Sequence, residues 1–220
     1  MSAAPWHPAG TVYGVLLNFR NEYDRWQPRM HEAPYKAPPQ APVLYVKTAN
    51  TWNPDGGTVL VPTGVAGVEA GATVGLVMGD QGPVACALLN DFSLPHASYF
   101  RPPVKFRCRD GFLGTPAQTM PLTELTELTE LTELATLQLQ VHVNGALRQT
   151  VDLSQLMRPA ATLLADVNAF MTLRPGDVLM LGCDIGPDGQ RPLLQPGDTV
   201  TLSAPGFAPL THHIRTEALA

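Results

Sequence analysis

Apolar and polar positions along this chain fall into short runs with two clear periods. Leu137, Leu139, Val141 and Val143 alternate with Gln138, Gln140 and His142, the pattern of a strand with one apolar face. Asn144 and Gly145 then suit the two positive-φ positions of a type I′ turn, so residues 136–151 predict a β-hairpin. Further apolar runs at 11–17, Val43–Lys47, Thr58–Val61, Ala72–Met78 and 84–89 predict strands. The tripeptide PGD recurs at 175–177 and 196–198, each time launching an apolar run, DVLMLGC and DTVTLSA. Helical spacing appears at Leu153, Leu156, Met157, Ala160, Leu163, Leu164 and Val167, which predicts one major helix over 153–170. Pro159 fits such a helix only if the true start lies near Arg158, with proline at the first helical position. Between the first two strands, residues 18–40 predict a short helix and then an extended Pro-rich segment ending in APPQAP.

One segment obeys neither period. TELTELTELTEL at 123–134 repeats every three residues, so its leucines drift about 60° per step around a helix and build no single face. Residues 121–135 are therefore expected to be a low-complexity surface insertion, without chemistry of their own. With 22 Pro and 19 Gly the elements must be short and the turns many. The fold expected is mainly β with one major helix, in one domain over 1–220 with tails at 1–9 and 212–220.

Composition narrows the function. A 45% hydrophobic, 15% charged chain of 220 residues can bury a core, and its net charge of −5 disfavours nucleic acid. The one basic cluster, Lys105–Arg109 (KFRCR), suits a small anion rather than a duplex. Cys86, Cys108 and Cys183 are odd in number and far apart, which fits neither a disulfide framework nor a CxxC metal site. A reducing cytoplasm is the expected setting, with no leader peptide and no apolar run of the roughly 20 residues that a membrane span requires. Five of the six histidines, His31, His96, His142, His212 and His213, lack metal-ligand spacing and are expected at the surface. Asp152 and Asp166 are expected to be solvated or capping charges. No G-x-S-x-G, P-loop or G-x-G-x-x-G pattern occurs, which leaves triad hydrolase and nucleotide readings unsupported.

Several fragments together carry a family resemblance: LLNFRNEYDRW from Leu16, YKAPPQAPVLYVKTANTW from Tyr35, LLNDFSLP from Leu88, KFRCRDGF from Lys105 and LRPGDVLMLG from Leu173. In this order they resemble the fumarylacetoacetate hydrolase superfamily, most closely the N-terminal-half type of the 4-hydroxyphenylacetate-degrading isomerase/decarboxylases. The resemblance implies a mixed β-roll and a site where an E-x-E pair and an aspartate hold Mg²⁺ or Mn²⁺. It also implies that the metal polarises a 2-oxo acid. Here Gly71 and Thr73 occupy the glutamate positions and only Asp91 survives, while Glu69 lies nearby, two residues back along the strand. Where active relatives carry a His-and-Glu acid/base pair, this chain has Glu22 and Arg25. Arg107 replaces a lysine, and Cys183 stands where a threonine is common.

The resemblance assigns catalytic positions to Lys47, Arg107 and Asp91, and carboxylate binding to Asn50, Thr51, Arg101 and Arg109. Arg109 paired internally with Asp110, and Asp91 capping a turn, are the structural alternatives. The function implied is a subunit that decarboxylates 5-oxopent-3-ene-1,2,5-tricarboxylate and isomerises 2-hydroxyhepta-2,4-dienedioate. Its metal would be held mainly by a paralogous partner chain in a homo- or hetero-oligomer. A catalytically silent structural partner and a self-sufficient acylpyruvate-type hydrolase are the competing readings.

Overall fold

The computed structural model of the chain describes residues 4–96, 98–100, 102–122 and 131–218. Among these, eight strands form one large curled sheet. Its order is Val43–Lys47, Val12–Leu16, Val178–Met180, Ala72–Met78, Pro83–Asp91, Leu113–Thr115 and Trp52–Pro54, with Met120–Pro121 also pairing to Pro83–Asp91. A second sheet has five strands in the order Ala146–Asp152, Gln138–Val143, Thr199–Ser203, Leu210–Thr216 and Thr58–Val61. Leu193–Leu194 and Val68–Glu69 make a small third ladder. The mainly β class follows the sequence, and so does the hairpin: Asn144 and Gly145 adopt φ of 52° and 79°.

The large sheet is buried on both faces. Val15, Val74, Leu76 and Leu88 pack with Val141, Leu202 and Ile214 of the smaller sheet. On the other face Leu16, Tyr45, Leu89 and Met180 form a separate core with Met30 of the helix Arg20–Met30. Ala72–Met78 sits in the middle, buried at every residue, which is why it reads as a continuous apolar run rather than an alternating one.

Both PGD turns use glycine at positive φ, 86° at Gly176 and 100° at Gly197. In each the aspartate folds back on an amide three residues earlier: Asp177 accepts from Arg174 N and Asp198 from Gln195 N, both at 2.8 Å.

Four expectations are corrected. The single helix over 153–170 is instead a 3₁₀ turn at Leu153–Gln155 followed by Ala160–Asn168, with Pro159 as N-cap. Proline lacks the amide and disfavours helical backbone before it, so the periodic stripe is split, and Arg20–Met30 is the longest described helix. The expected tail from 212 is the strand Leu210–Thr216, which turns Leu210, His212 and Ile214 inward and pairs with two neighbours. At the other end, Trp6 N donates to Ala117 O and His7 stacks on Trp52 at 5.4 Å, so residues 4–9 are docked. Residues 123–130 of the TEL repeat lie outside the described residues, but the end of the expected surface insertion is not at the surface: Leu131 and Leu134 are buried in the main core.

Candidate functional site

Tyr45 and Lys47 are two residues apart on an edge strand and therefore share a face. Tyr45 lies opposite Gly14 in the ladder, and a Cβ on Gly14 would come within 2.1 Å of the tyrosine Cζ, so only glycine leaves room for the ring. Asp91 ends the strand Pro83–Asp91, and Arg107 ends the short helix Val104–Arg107.

These four side chains converge. Lys47 Nζ is 2.8 Å from Asp91 Oδ1 and Arg107 Nη1 is 2.5 Å from Asp91 Oδ2, while the Tyr45 hydroxyl also donates to Oδ2. Lys47 further donates to the carbonyls of Phe92 at 3.0 Å and Arg107 at 2.5 Å. The Arg107 guanidinium lies 4.6 Å above the centre of the Tyr45 ring. Burial alone would raise the Asp91 pKa, but Lys47 and Arg107 outweigh it and hold the carboxyl well below its ordinary range. Burial pushes the Tyr45 phenol well up, so it stays a neutral donor.

A second buried cluster lies behind the first. Leu17 adopts φ of 60°, turning the strand Val12–Leu16 toward the helix, and its amide donates to Glu22 Oε2 at 2.7 Å. Glu22 Oε1 accepts from Tyr99 at 2.9 Å and from Arg191 Nη2 at 3.2 Å. Arg191 also donates to the carbonyl of Cys183 at 3.3 Å, and the Cys183 thiol lies 3.8 Å from Asp91 Oδ2. Burial, helped by the charge of Asp91, pushes that thiol up to about 12, so it is neutral and no nucleophile.

Beside these clusters opens a cavity of about 650 Å³, walled by Arg25, Arg29, Arg191, Trp26, His96 and Tyr99. Glu69 also faces it, and burial raises the Glu69 carboxyl pKa.

The residues singled out from the sequence are dispersed around this geometry. Lys47, Arg107 and Asp91 come together, but as a buried cluster in which each carboxylate oxygen already faces a cation, while Arg107 Nε and Nη2 have no hydrogen-bond partner. Asn50 donates to Cys108 O at 3.1 Å and to Asp110 Oδ1 at 2.6 Å, tying an exposed loop, and Thr51 donates to Thr48 O at 2.7 Å. Arg109 lies 3.4 Å from both Glu217 oxygens rather than pairing with Asp110. None of these lines the cavity, and Arg101 lies outside the described residues. Two histidines expected at the surface are not there: His212 is fully buried, and His96 is half-buried and stacked on Phe106 at 4.9 Å.

Sequence reasoning missed Tyr45, Tyr99 and Arg191. The two-residue spacing from Lys47 was a usable signal for Tyr45. Nothing local marked Arg191, whose partner Glu22 is 169 residues away.

Fold and site together define a β-rich domain built around buried ion pairs beside a cationic cavity. The chain belongs to the fumarylacetoacetate hydrolase family: residues 11–215 match the family described as Fumarylacetoacetate (FAA) hydrolase C-terminal. It is 36% identical over 219 residues to the 4-hydroxyphenylacetate degradation bifunctional isomerase/decarboxylase of Escherichia coli, covering 94% of this chain and 48% of that protein. A Salmonella dublin protein of the same name matches equally, at 36% identity and with the same coverage of 94% and 48%. The chain thus spans about half the length of the curated relatives it matches. Among solved structures, the 2-hydroxyhepta-2,4-diene-1,7-dioate isomerase from Mycobacterium marinum aligns with a TM-score of 0.73 at 19% identity, covering 96% of this chain and 76% of that one. The 5-carboxymethyl-2-hydroxymuconate delta-isomerase from Mycobacterium smegmatis aligns with a TM-score of 0.71 at 22% identity, covering 97% and 79%. Both likenesses concern the fold.

Enzymes of this family generally depend on a divalent metal. The residues present here do not fit one. Gly71 faces Asp91 across the ladder, and a Cβ at Gly71 would lie 2.5 Å from Asp91 O and 2.9 Å from Cys183 Sγ. Thr73 is buried and offers only a neutral hydroxyl. Among the described residues no group of three or more His, Cys, Asp or Glu is placed to hold a metal ion. An ion at Asp91 would meet the charges of Lys47 and Arg107. Unit charges at 4 Å repel by roughly 4 kcal/mol at an effective dielectric of 20, and a divalent ion by twice that.

Proposed function

We propose that this chain is the metal-free half of a decarboxylase/isomerase of aromatic catabolism, working with a paralogous half that retains the full carboxylate cage. The reading is carried by one observation: the carboxylate that should bind metal is ion-paired with both Lys47 and Arg107 and accepts from Tyr45. It is supported by the curated relatives, which are bifunctional and about twice as long as the region matched here. The substrate class follows from them: 5-oxopent-3-ene-1,2,5-tricarboxylate and 2-hydroxyhepta-2,4-dienedioate, both small polycarboxylates. Loss of carbon dioxide from such an acid needs an electron sink, and in this reading the partner half supplies it.

A second reading, a catalytically silent scaffold for that partner, is favoured by the same buried ion pairs. Two measurements separate these readings from a self-sufficient enzyme. Calorimetric titration of the chain alone with Mg²⁺ and Mn²⁺ should give no saturable one-site heat, and turnover should appear only when a metal-competent half is added. Stoichiometric, tight Mg²⁺ binding with turnover by the chain alone overturns the proposal. If turnover by the mixture is unaffected by substitutions in this chain that leave it folded, the scaffold reading stands instead.

A further inference from the structure

The tip of the hairpin carries the one Asn-Gly dipeptide in the chain, Asn144-Gly145. Such a pair is open to deamidation, because glycine has no side chain to shield its amide nitrogen from the neighbouring carboxamide carbon. Both residues are exposed, and a Cβ on Gly145 would meet nothing within 4 Å, so the turn has room for the cyclic imide that the reaction builds. Gly145 N makes no hydrogen bond among the described residues, which leaves the attacking atom free. The carboxamide, in contrast, is held. Val143 and Val200 form the last pair of the ladder between Gln138–Val143 and Thr199–Ser203. Asn144 prolongs that ladder by one rung: its N donates to Thr199 O at 2.9 Å, and its Oδ1 accepts from Thr199 N at 2.9 Å. Its Nδ2 donates to Asp198 Oδ1 at 2.7 Å, and Asp198 is itself fixed by Gln195 N in the second PGD turn. One amide group thus clasps the hairpin tip to that turn, with both of its polar atoms directed at residues 198 and 199.

We propose that Asn144 is a modification site, a slow deamidation centre whose rate is set by the clasp to Asp198 and Thr199 and whose conversion opens that clasp. In the reaction Gly145 N attacks Asn144 Cγ, the Cγ–Nδ2 bond breaks, and ammonia leaves with the proton that Gly145 N gives up. Water then opens the cyclic imide at either carbonyl, giving aspartate or isoaspartate. Before the attack the amide must let go of Asp198 and Thr199, so the folded chain reacts more slowly than the unfolded one. The bond to the charged Asp198 alone slows the folded chain about tenfold. The product undoes its own restraint. Aspartate at this position has no N–H to give, so two carboxylates face each other where the 2.7 Å hydrogen bond stood. Isoaspartate lengthens the main chain by one carbon and disrupts the turn, whose φ values of 52° and 79° set the hairpin. The site is independent of the proposed function: it belongs to the smaller sheet and uses no residue of the ion-pair clusters.

The test ages the full chain in mildly alkaline buffer, folded and in urea. Mass spectrometry follows the peptide that contains residue 144, with the isoaspartate and aspartate forms separated by chromatography. Both products are expected to accumulate slowly in the folded chain and much faster in urea. Asp198→Ala should speed the folded chain about tenfold at this position, while Asp80→Ala, an exposed change outside the hairpin, should leave the rate alone. Because Asp198 also holds Gln195 N, melting curves decide the matter should Asp198→Ala not fold. Asn144→Asp should lower the melting temperature, and Asn144→Asp/Asp198→Asn, which moves the donor to the other partner, should recover most of that loss. Equal rates at residue 144 in the folded and urea-treated chain, or no acceleration in a folded Asp198→Ala, overturn the proposal. So does an Asn144→Asp variant that melts like the parent, or a double variant no more stable than Asn144→Asp.

Discussion

Lys47 Nζ and Asp91 Oδ1 meet 2.8 Å apart with both side chains wholly removed from solvent, and Arg107 closes on the other carboxylate oxygen. Two cations therefore depend on one buried anion. Asp91→Asn leaves both without a counter-charge, and removing one member of a buried pair costs about 3–5 kcal/mol. Urea denaturation should show that loss; a change below about 1 kcal/mol would mean that the cluster is hydrated and weak. The sign of the pH effect follows from the same charges. Because Asp91 is held below its unfolded value, its contribution is complete above about pH 4 and is lost as the pH falls below that.

The sequence made most of the longer strands legible, the short ones not, and the site only partly so. Period-two alternation exposed the hairpin, and PGD exposed two turns, because both are local. The strand Leu210–Thr216 hid itself because His212 occupies an inward position that the pattern treats as polar. The ion pair of Glu22 with Arg191 joins the start of a helix to a distant loop, and no local pattern encodes it. Lys47, Asp91 and Arg107 were found through family motifs. That the two cations pair with the one carboxylate, instead of waiting for metal and substrate, depends on side-chain approach across three elements.

His212 gives a second pH effect, at milder acidity. Its Nε2 donates to the Asn53 carbonyl at 3.1 Å, and its Nδ1 is buried without a partner. Protonation would place a charge and an unpaired donor in the core, so burial lowers its folded pKa. The unfolded chain then binds the extra proton first, near pH 6.5, and stability falls below that by at most about 1.4 kcal/mol per pH unit per histidine. Melting temperatures at pH 7, 6 and 5 should therefore decline. His212→Gln should flatten the decline, leaving the part due to His96, whose pKa burial also lowers. An identical slope in the variant would rule out His212 as its source.

Restoring the two glutamates offers a sharper test of why metal is excluded. In Gly71→Glu/Thr73→Glu the carboxylates return, but a side chain at 71 meets Asp91 O and Cys183 Sγ inside contact distance. Overpacking of this kind costs about 1–3 kcal/mol. Lys47 and Arg107 also remain to take up the new charge. The variant should be less stable and still show no saturable Mg²⁺ heat. Micromolar Mg²⁺ affinity after these two changes would show that missing carboxylates alone, and not the resident cations, keep the ion out.

Glu22 and Arg191 should prove coupled, with Tyr99 reporting on the bond. Glu22 accepts from Leu17 N, Tyr99 and Arg191, so Glu22→Gln leaves a buried guanidinium without its anion and costs about 3–5 kcal/mol. The Tyr99 phenol is raised first by burial and next by the Glu22 charge, so the substitution should move its ultraviolet titration downward without returning it to the ordinary range. Arg191→Gln alone strands Glu22 in the same way. Because each single change isolates a charge that the other then removes, the double variant Glu22→Gln/Arg191→Gln should lose less than the sum of the two, by about 1–3 kcal/mol in a double-mutant cycle. Strict additivity would mean that the 3.2 Å contact carries no energy, and that the helix Arg20–Met30 is fixed against the loop by packing alone.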